Sequence, residues 1–357
     1  MGSLKVKLIL FFSLFFFVTS APANSAPEIN EVTGSISEGN SITITGTNFG
    51  AHSDNQPNAD YVANAWDDLD DGYISSDIFG SDNYGPEYWT NSAEQRTGSS
   101  NCARSFRSSD TSFTSVFGDS VTGGAASLKA GTNTTIFVSG WFMLPAASVT
   151  LMENVVSEQC KFISSTNNAG CGNQYWNFMG NTRINYEDSR IAENPPELTV
   201  GNGIVDAGVW NRFSIELTPT HTYFYCNGKQ YSTKTSWQCT PGDLDIYWFR
   251  YFGGSDWYVY GDDFYADYTI ARVELSENST WDTTTRKHLE IQPATSWSDS
   301  SITITLNQGS FQEGDTVYLY VIDENGVANT NGYPLNIGGG EAANSLPSPG
   351  NLEITSP

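Results

Sequence analysis

The chain is poor in four things, and each scarcity excludes something. Lys and Arg together number only 16 against 40 Asp and Glu, a formal net charge of −24. Nucleic acid binding draws its affinity from Lys and Arg neutralising phosphates, so that class is excluded as a partner. Anionic membranes and sulfated polymers are disfavoured for the same reason, unless calcium bridges the charges. Histidine occurs three times, at His52, His221 and His288, which limits general acid–base chemistry. Cysteine occurs five times in 357 residues. Beyond the first residues no apolar run is long enough to span a bilayer, which takes roughly 20 residues, and no segment sustains a helical period.

The exception at the start is informative. Lys5 and Lys7 precede an apolar stretch from Leu8 to Val18, and Ala21-Pro22-Ala23 follows with the small-residue spacing of a cleavage site. This is the layout of a secretory signal peptide over residues 1–23. The expected location is therefore extracellular, with the periplasm or the cell surface as variants. In such a compartment cysteines pair. The two short spacings are Cys160 with Cys171 and Cys226 with Cys239, which leaves Cys102 over. Spacing alone does not fix the connectivity. Each bridge would contribute about 2–3 kcal/mol in the chain-entropy view.

Period-two alternation recurs instead of helical spacing: Ile42 and Ile44; Phe213, Ile215 and Leu217; Ile302, Ile304 and Leu306; Val317, Leu319 and Val321. Asn227-Gly228, Asn325-Gly326 and Asn331-Gly332 punctuate these runs. The fold class expected is all-β, built from antiparallel sandwiches. Ser41-Ile42-Thr43-Ile44-Thr45 is repeated letter for letter as Ser301-Ile302-Thr303-Ile304-Thr305.

The opening Pro27-Glu28-Ile29, followed by Gly39 to Gly50 with its Ile42-Thr43-Ile44 strand, resembles the start of an IPT/TIG immunoglobulin-like domain. Trp297-Ser298-Asp299, the strand at 301–305, and Val317–Val321 leading to Asn331-Gly332 resemble that family's later half. The resemblance implies one small immunoglobulin-like sandwich split into residues 27–50 and 286–338. Residues 51–285 would then be an inserted domain, and 339–357 a Gly/Ser/Pro-rich flexible tail. Within the insert, Trp210 to Leu217 and the hairpin Tyr223 to Lys229 resemble the laminin-G and concanavalin-like jelly rolls. Asp262 to Leu275 resembles the last strand of that fold.

No catalytic constellation is found. The E-x-D-x-x-E pattern of jelly-roll glycosidases, which places two carboxylates across one sugar, is absent. Glu187-Asp188 with Glu193 lacks the alternation needed. None of the three histidines sits in the strand motif of a jelly-roll polysaccharide lyase, and His52 reads as a solvated loop residue. What stands out is aromatic: Trp248, Tyr251, Trp257, Tyr258 and Tyr260 crowd one region, and Trp176 with Arg183 could join them on one sheet face. Sugars stack on such rings. Asp67 and Asp68, with Asp263, form acidic pairs suited to a structural Ca2+. The sequence thus points first to a non-catalytic, lectin-like carbohydrate-binding protein with a polysaccharide or cell-surface glycan as partner. An adhesive or structural surface protein and a divergent polysaccharide lyase are the alternatives.

Overall fold

The computed structural model describes residues 25–52, 89–92, 102–106, 135–144, 146, 159–167, 172–179, 183–188, 198–199, 207–235, 244–252, 258–267, 269–286 and 288–339. Of Cys102, Cys160, Arg183, Trp248, Tyr251 and Tyr258 only the backbone course is described. Residues 1–23, expected to be a signal peptide, residues 340–357 of the expected tail, and Asp67, Asp68, Cys171, Cys239 and Trp257 lie outside the described residues.

Every named element is a strand, and every pairing is antiparallel. The chain begins with β1 (Glu28–Thr33) and β2 (Ser41–Thr47). It continues with β3 (Trp89–Ser92), β4 (Cys102–Phe106), β5 (Ile136–Met143), β6 (Gln159–Asn167), β7 (Gly172–Met179), β8 (Arg183–Asp188) and β9 (Leu198–Thr199). Then come β10 (Asn211–Leu217), β11 (His221–Cys226), β12 (Lys229–Thr235), β13 (Leu244–Phe252) and β14 (Tyr258–Asp267). The last six are β15 (Arg272–Ser276), β16 (Leu289–Gln292), β17 (Ala294–Ser298), β18 (Ser301–Thr305), β19 (Thr316–Ile322) and β20 (Tyr333–Asn336). They form four sheets, ordered β1-β2-β18-β17, β16-β15-β19-β20, β12-β11-β10-β5-β14-β4-β3 and β13-β6-β7-β8-β9.

The two copies of Ser-Ile-Thr-Ile-Thr pair with each other. Ile42 stands opposite Ile304 and Ile44 opposite Ile302. Period-two alternation sends all four isoleucines to one face, where they pack with Val273, Leu275, Val317, Leu319 and Val321 of the facing sheet in one apolar cluster. Phe49 joins that cluster. Its ring and the Glu28 carbonyl press on the backbone at Gly46, where no side chain would fit.

One boundary differs from the sequence-based expectation. Asp262–Leu275 is not a single closing strand of the insert. β14 lies between β5 and β4 in the seven-stranded sheet, whereas β15 pairs with β16 and β19 in the small sandwich. The physical reason is alternation on β15: Val273 and Leu275 complete the apolar cluster around Ile42, and Arg272, Glu274 and Ser276 occupy the opposite face.

That opposite face is buried too. On β10, Phe213 packs against Trp176 of the five-stranded sheet, with ring centroids 5.0 Å apart. The alternate residues Arg212, Ser214 and Glu216 are also buried, and they meet the outer face of β15. Phe137 of β5, Tyr265 of β14 and Ile291 of β16 share a cluster across the same junction. The four sheets are therefore stacked, with a polar seam between the two central ones.

Candidate functional site: the seam between the sheets

Because the seam buries the polar faces of two sheets, its groups must satisfy one another. Arg212 donates from Nε to Ser139 Oγ at 2.8 Å, and from Nη1 to Glu274 Oε2 at 3.0 Å and to the Leu289 carbonyl at 2.9 Å. Ser139 and Ser214 link their hydroxyls at 2.9 Å. Arg272 donates from Nε to Glu274 Oε1 and from Nη1 to the Ile270 carbonyl at 2.8 Å, while its guanidinium lies 4.0 Å from the Phe137 ring centroid. Its Nη1 is 3.6 Å from Glu216 Oε2.

Burial alone would raise the carboxyl of Glu274. The guanidinium groups of Arg212, Arg272 and Arg286 outweigh burial and hold it down at about 2. Burial, and then the Glu216 charge, push the Tyr225 hydroxyl up, so it stays protonated and donates to Glu216 Oε2 at 3.4 Å.

At its open end the seam widens into a cavity of about 380 Å³, lined among others by Glu216, His221, Tyr223, Gln230, Trp281 and Arg286. Ligand sites run from roughly 300 to 1,000 Å³, so the volume is that of a small-ligand cleft. His221 Nε2 lies 3.0 Å from Glu216 Oε1, and the imidazole stacks on Tyr223 with ring centroids 4.0 Å apart. Cys226 ends β11, and the Asn227-Gly228 turn then leads into β12, with Asn227 at φ 48°. That turn places the Gly228 carbonyl 2.6 Å from Arg286 Nε. Arg286 lies 3.9 Å from the Trp281 ring centroid. Sequence reasoning does not single out this cleft. Its one signal is that Arg212, Ser214 and Glu216 alternate with the apolar residues of β10, a pattern that equally describes a solvated sheet face.

The other two histidines also meet carboxylates. His52 is not solvated: its side chain is 6% exposed, and Nε2 lies 2.9 Å from Asp267 Oδ2, which also accepts the Tyr265 hydroxyl at 2.9 Å. His288 Nε2 lies 2.7 Å from Glu290 Oε1 and 2.8 Å from Ser310 Oγ. This Ser-His-Glu group is not arranged as a nucleophilic relay. A relay needs the carboxylate on one ring nitrogen and the hydroxyl on the other, and here both meet Nε2.

The residues expected to form an aromatic binding face are divided. Trp248 and Tyr251 lie on β13 of the five-stranded sheet, and Tyr258 and Tyr260 on β14 of the seven-stranded one. Arg183 begins β8, opposite Met179. Tyr260 is half-buried. Trp176 is fully buried between the two sheets, donating from Nε1 to the Ser214 carbonyl at 2.9 Å, so it is core and not a ligand contact. In register it stands opposite Ile163, which stands opposite Trp248. Cys226 is a buried free thiol, so the expected bridge to Cys239 is not made. The thiol sits on the last residue of β11, paired with Phe213 in the sheet interior. Asp263 is buried within β14 at φ 51°. Among the described residues no group of three or more His, Cys, Asp or Glu is placed to hold a metal.

No protein-family model and no curated protein matches this chain. Among solved structures it is similar to a cellulose-induced protein, Cip1 (13% identity, 52% of this chain and 94% of that one, TM-score 0.34). It is similar also to the PL7 alginate lyase AlyA1 from Zobellia galactanivorans (12%, 68% and 95%, TM-score 0.35). A third is the receptor-binding domain of botulinum neurotoxin type G (11%, 70% of each chain, TM-score 0.35). These are distant likenesses between β-rich chains.

Proposed function

We propose that this is a secreted, non-catalytic saccharide-binding protein whose ligand lies in the cleft at the end of the seam. One observation carries the reading: a cavity of ligand size lined together by rings and by hydrogen-bonding side chains. His221 and Tyr223 supply flat ring surface, against which the C–H faces of a sugar pack, and Trp281, covered by Arg286, closes the wall beside them. Glu216 and Gln230 supply an acceptor and an amide with both donor and acceptor atoms, which a ring of hydroxyls requires. The charged network behind the cleft fixes the wall, because Arg212 is held by Ser139 and Glu274, and Arg272 by Glu274 with Glu216 close by. A preformed wall binds without first being ordered.

A glycan array followed by calorimetry tests this. Wild-type protein is expected to bind a defined set of oligosaccharides, and Tyr223→Ala and Gln230→Ala to weaken them at least tenfold while remaining folded. Binding lost in Trp248→Ala or Trp257→Ala but untouched in the cleft variants would move the site to the aromatic stretch. A chain that binds nothing on the array and instead self-associates would be an adhesive or structural protein.

A further inference from the structure

Resting on that reading, we propose that the saccharide is acidic: the cleft takes a sugar bearing a carboxylate, with Arg286 as its counter-charge. Three guanidinium groups converge on the seam, those of Arg212, Arg272 and Arg286, and two carboxylates, Glu216 and Glu274, answer them. Glu274 is taken by Arg212 at 3.0 Å and by Arg272. Glu216 is shared among His221 at 3.0 Å, the Tyr225 hydroxyl at 3.4 Å and Arg272 at 3.6 Å.

Among the described residues Arg286 makes no direct ion pair, and its charge acts on Glu274 only at longer range. It lines the cleft and is 3% exposed. Its Nε is committed to the Gly228 carbonyl, and its Nη1 is buried with no hydrogen-bond partner. A buried donor without an acceptor is costly, the more so when charged.

Neighbouring acids are engaged elsewhere. Asp282 accepts from Thr284 N at 2.8 Å, Thr284 Oγ1 at 2.7 Å and Thr285 Oγ1 at 2.9 Å, which ties it to its own turn. Asp323 accepts from the backbone N–H groups of Asn325 and Val327. A ligand carboxylate would supply the acceptor that Arg286 lacks among the described residues, and a planar guanidinium matches a carboxylate in geometry. The overall charge of −24 does not forbid this. Acids more than a Debye length away, about 8 Å at physiological salt, are screened, whereas Arg286 acts at contact.

Calorimetry on the full chain decides between outcomes. The probes are a glucuronate-bearing tetrasaccharide, sialyllactose, and the carboxyl-reduced form of each. One acidic probe is expected to bind at least about tenfold more tightly than its reduced form, in keeping with a charge-assisted hydrogen bond. Which of the two does so tells uronate from sialate. Arg286→Gln should erase the preference, and Arg286→Lys should restore part of it. Equal affinity for acidic and reduced forms overturns the proposal and leaves the saccharide reading standing. Failure of every probe, together with a silent glycan array, removes both. A preference that survives in folded Arg286→Gln places the anion elsewhere and also overturns it. Should Arg286→Gln not fold, the comparison of acidic and reduced probes on wild-type protein is decisive by itself.

Discussion

Nη1 of Arg212 on β10 lies 3.0 Å from Oε2 of Glu274 on β15, and the two side chains are only 4% and 1% exposed. The pair joins the seven-stranded sheet to the four-stranded sheet that holds β15, across a face that each would otherwise turn to water. Glu274 also holds Arg272, so its loss strands two buried cations. Glu274→Gln is expected to destabilise the protein by about 3–5 kcal/mol, the usual cost of removing one partner from a buried pair. Urea denaturation followed by tryptophan fluorescence measures this; a loss below about 1 kcal/mol would mean that the seam is hydrated and the pair weak.

Acid should act through the same residue. In the folded state the Glu274 carboxyl is held at about 2, below its ordinary 4.5. Since the folded form binds its proton more weakly than the unfolded form, the stabilisation is complete above about pH 4.5 and lost as pH falls through about 2. Urea midpoints taken between pH 5 and pH 2 should decline, and the decline should be shallower in Glu274→Gln. Identical slopes in the two proteins would assign acid sensitivity to other carboxylates.

Ile42 and Ile304 are opposite one another and fully buried. Either isoleucine replaced by alanine is expected to cost about 2–5 kcal/mol. The double variant should cost less than the two together, because a single cavity forms where the side chains touch. Strict additivity in a double-mutant cycle would show that they do not share a core.

Trp176 separates structure from binding. Trp176→Ala should lower stability by about 3–5 kcal/mol, yet the affinity of the folded fraction for any saccharide should stay within twofold of wild type. An affinity loss beyond tenfold in the folded fraction would return Trp176 to the ligand site.

Cys226 should be chemically silent in the native state. Burial pushes its thiol well above the ordinary range, and the thiolate is the reactive form. Iodoacetamide followed by peptide mass spectrometry should leave Cys226 unmodified in buffer and alkylate it in denaturant. Native labelling within minutes would show the sheet end to be open.

These residues also show what the sequence can reveal. The pairing of 41–45 with 301–305 is readable because both segments alternate, are identical, and each needs a partner for its apolar face. Arg272 to Leu275 reads as a strand for the same reason. Alternation says that Val273 and Leu275 share a core, but not whose, and the likeness to a jelly-roll closing strand points to the wrong sandwich. The seam is hidden by an ambiguity of the pattern itself: a polar face reads as solvent-facing, and only the stacking of one sheet on another buries Arg212, Glu216, Arg272 and Glu274. The aromatic run misleads in a similar way. Composition places Trp176 among surface rings, whereas contacts with Phe213 and Phe224 place it inside.

The union of β2 with β18 constrains how the molecule is made. During synthesis, at about 5–20 residues per second, the β1–β2 hairpin waits with an open edge and bare isoleucines until the far end of the polypeptide emerges, a hazard for edge-to-edge association. Meanwhile the intervening sandwich can close on its own strands. By doing so it draws distant ends together and shortens the effective loop that β18 must close. Maturation of the small sandwich is thus timed by its passenger, and a nascent chain stopped before Ser301 holds only half a core.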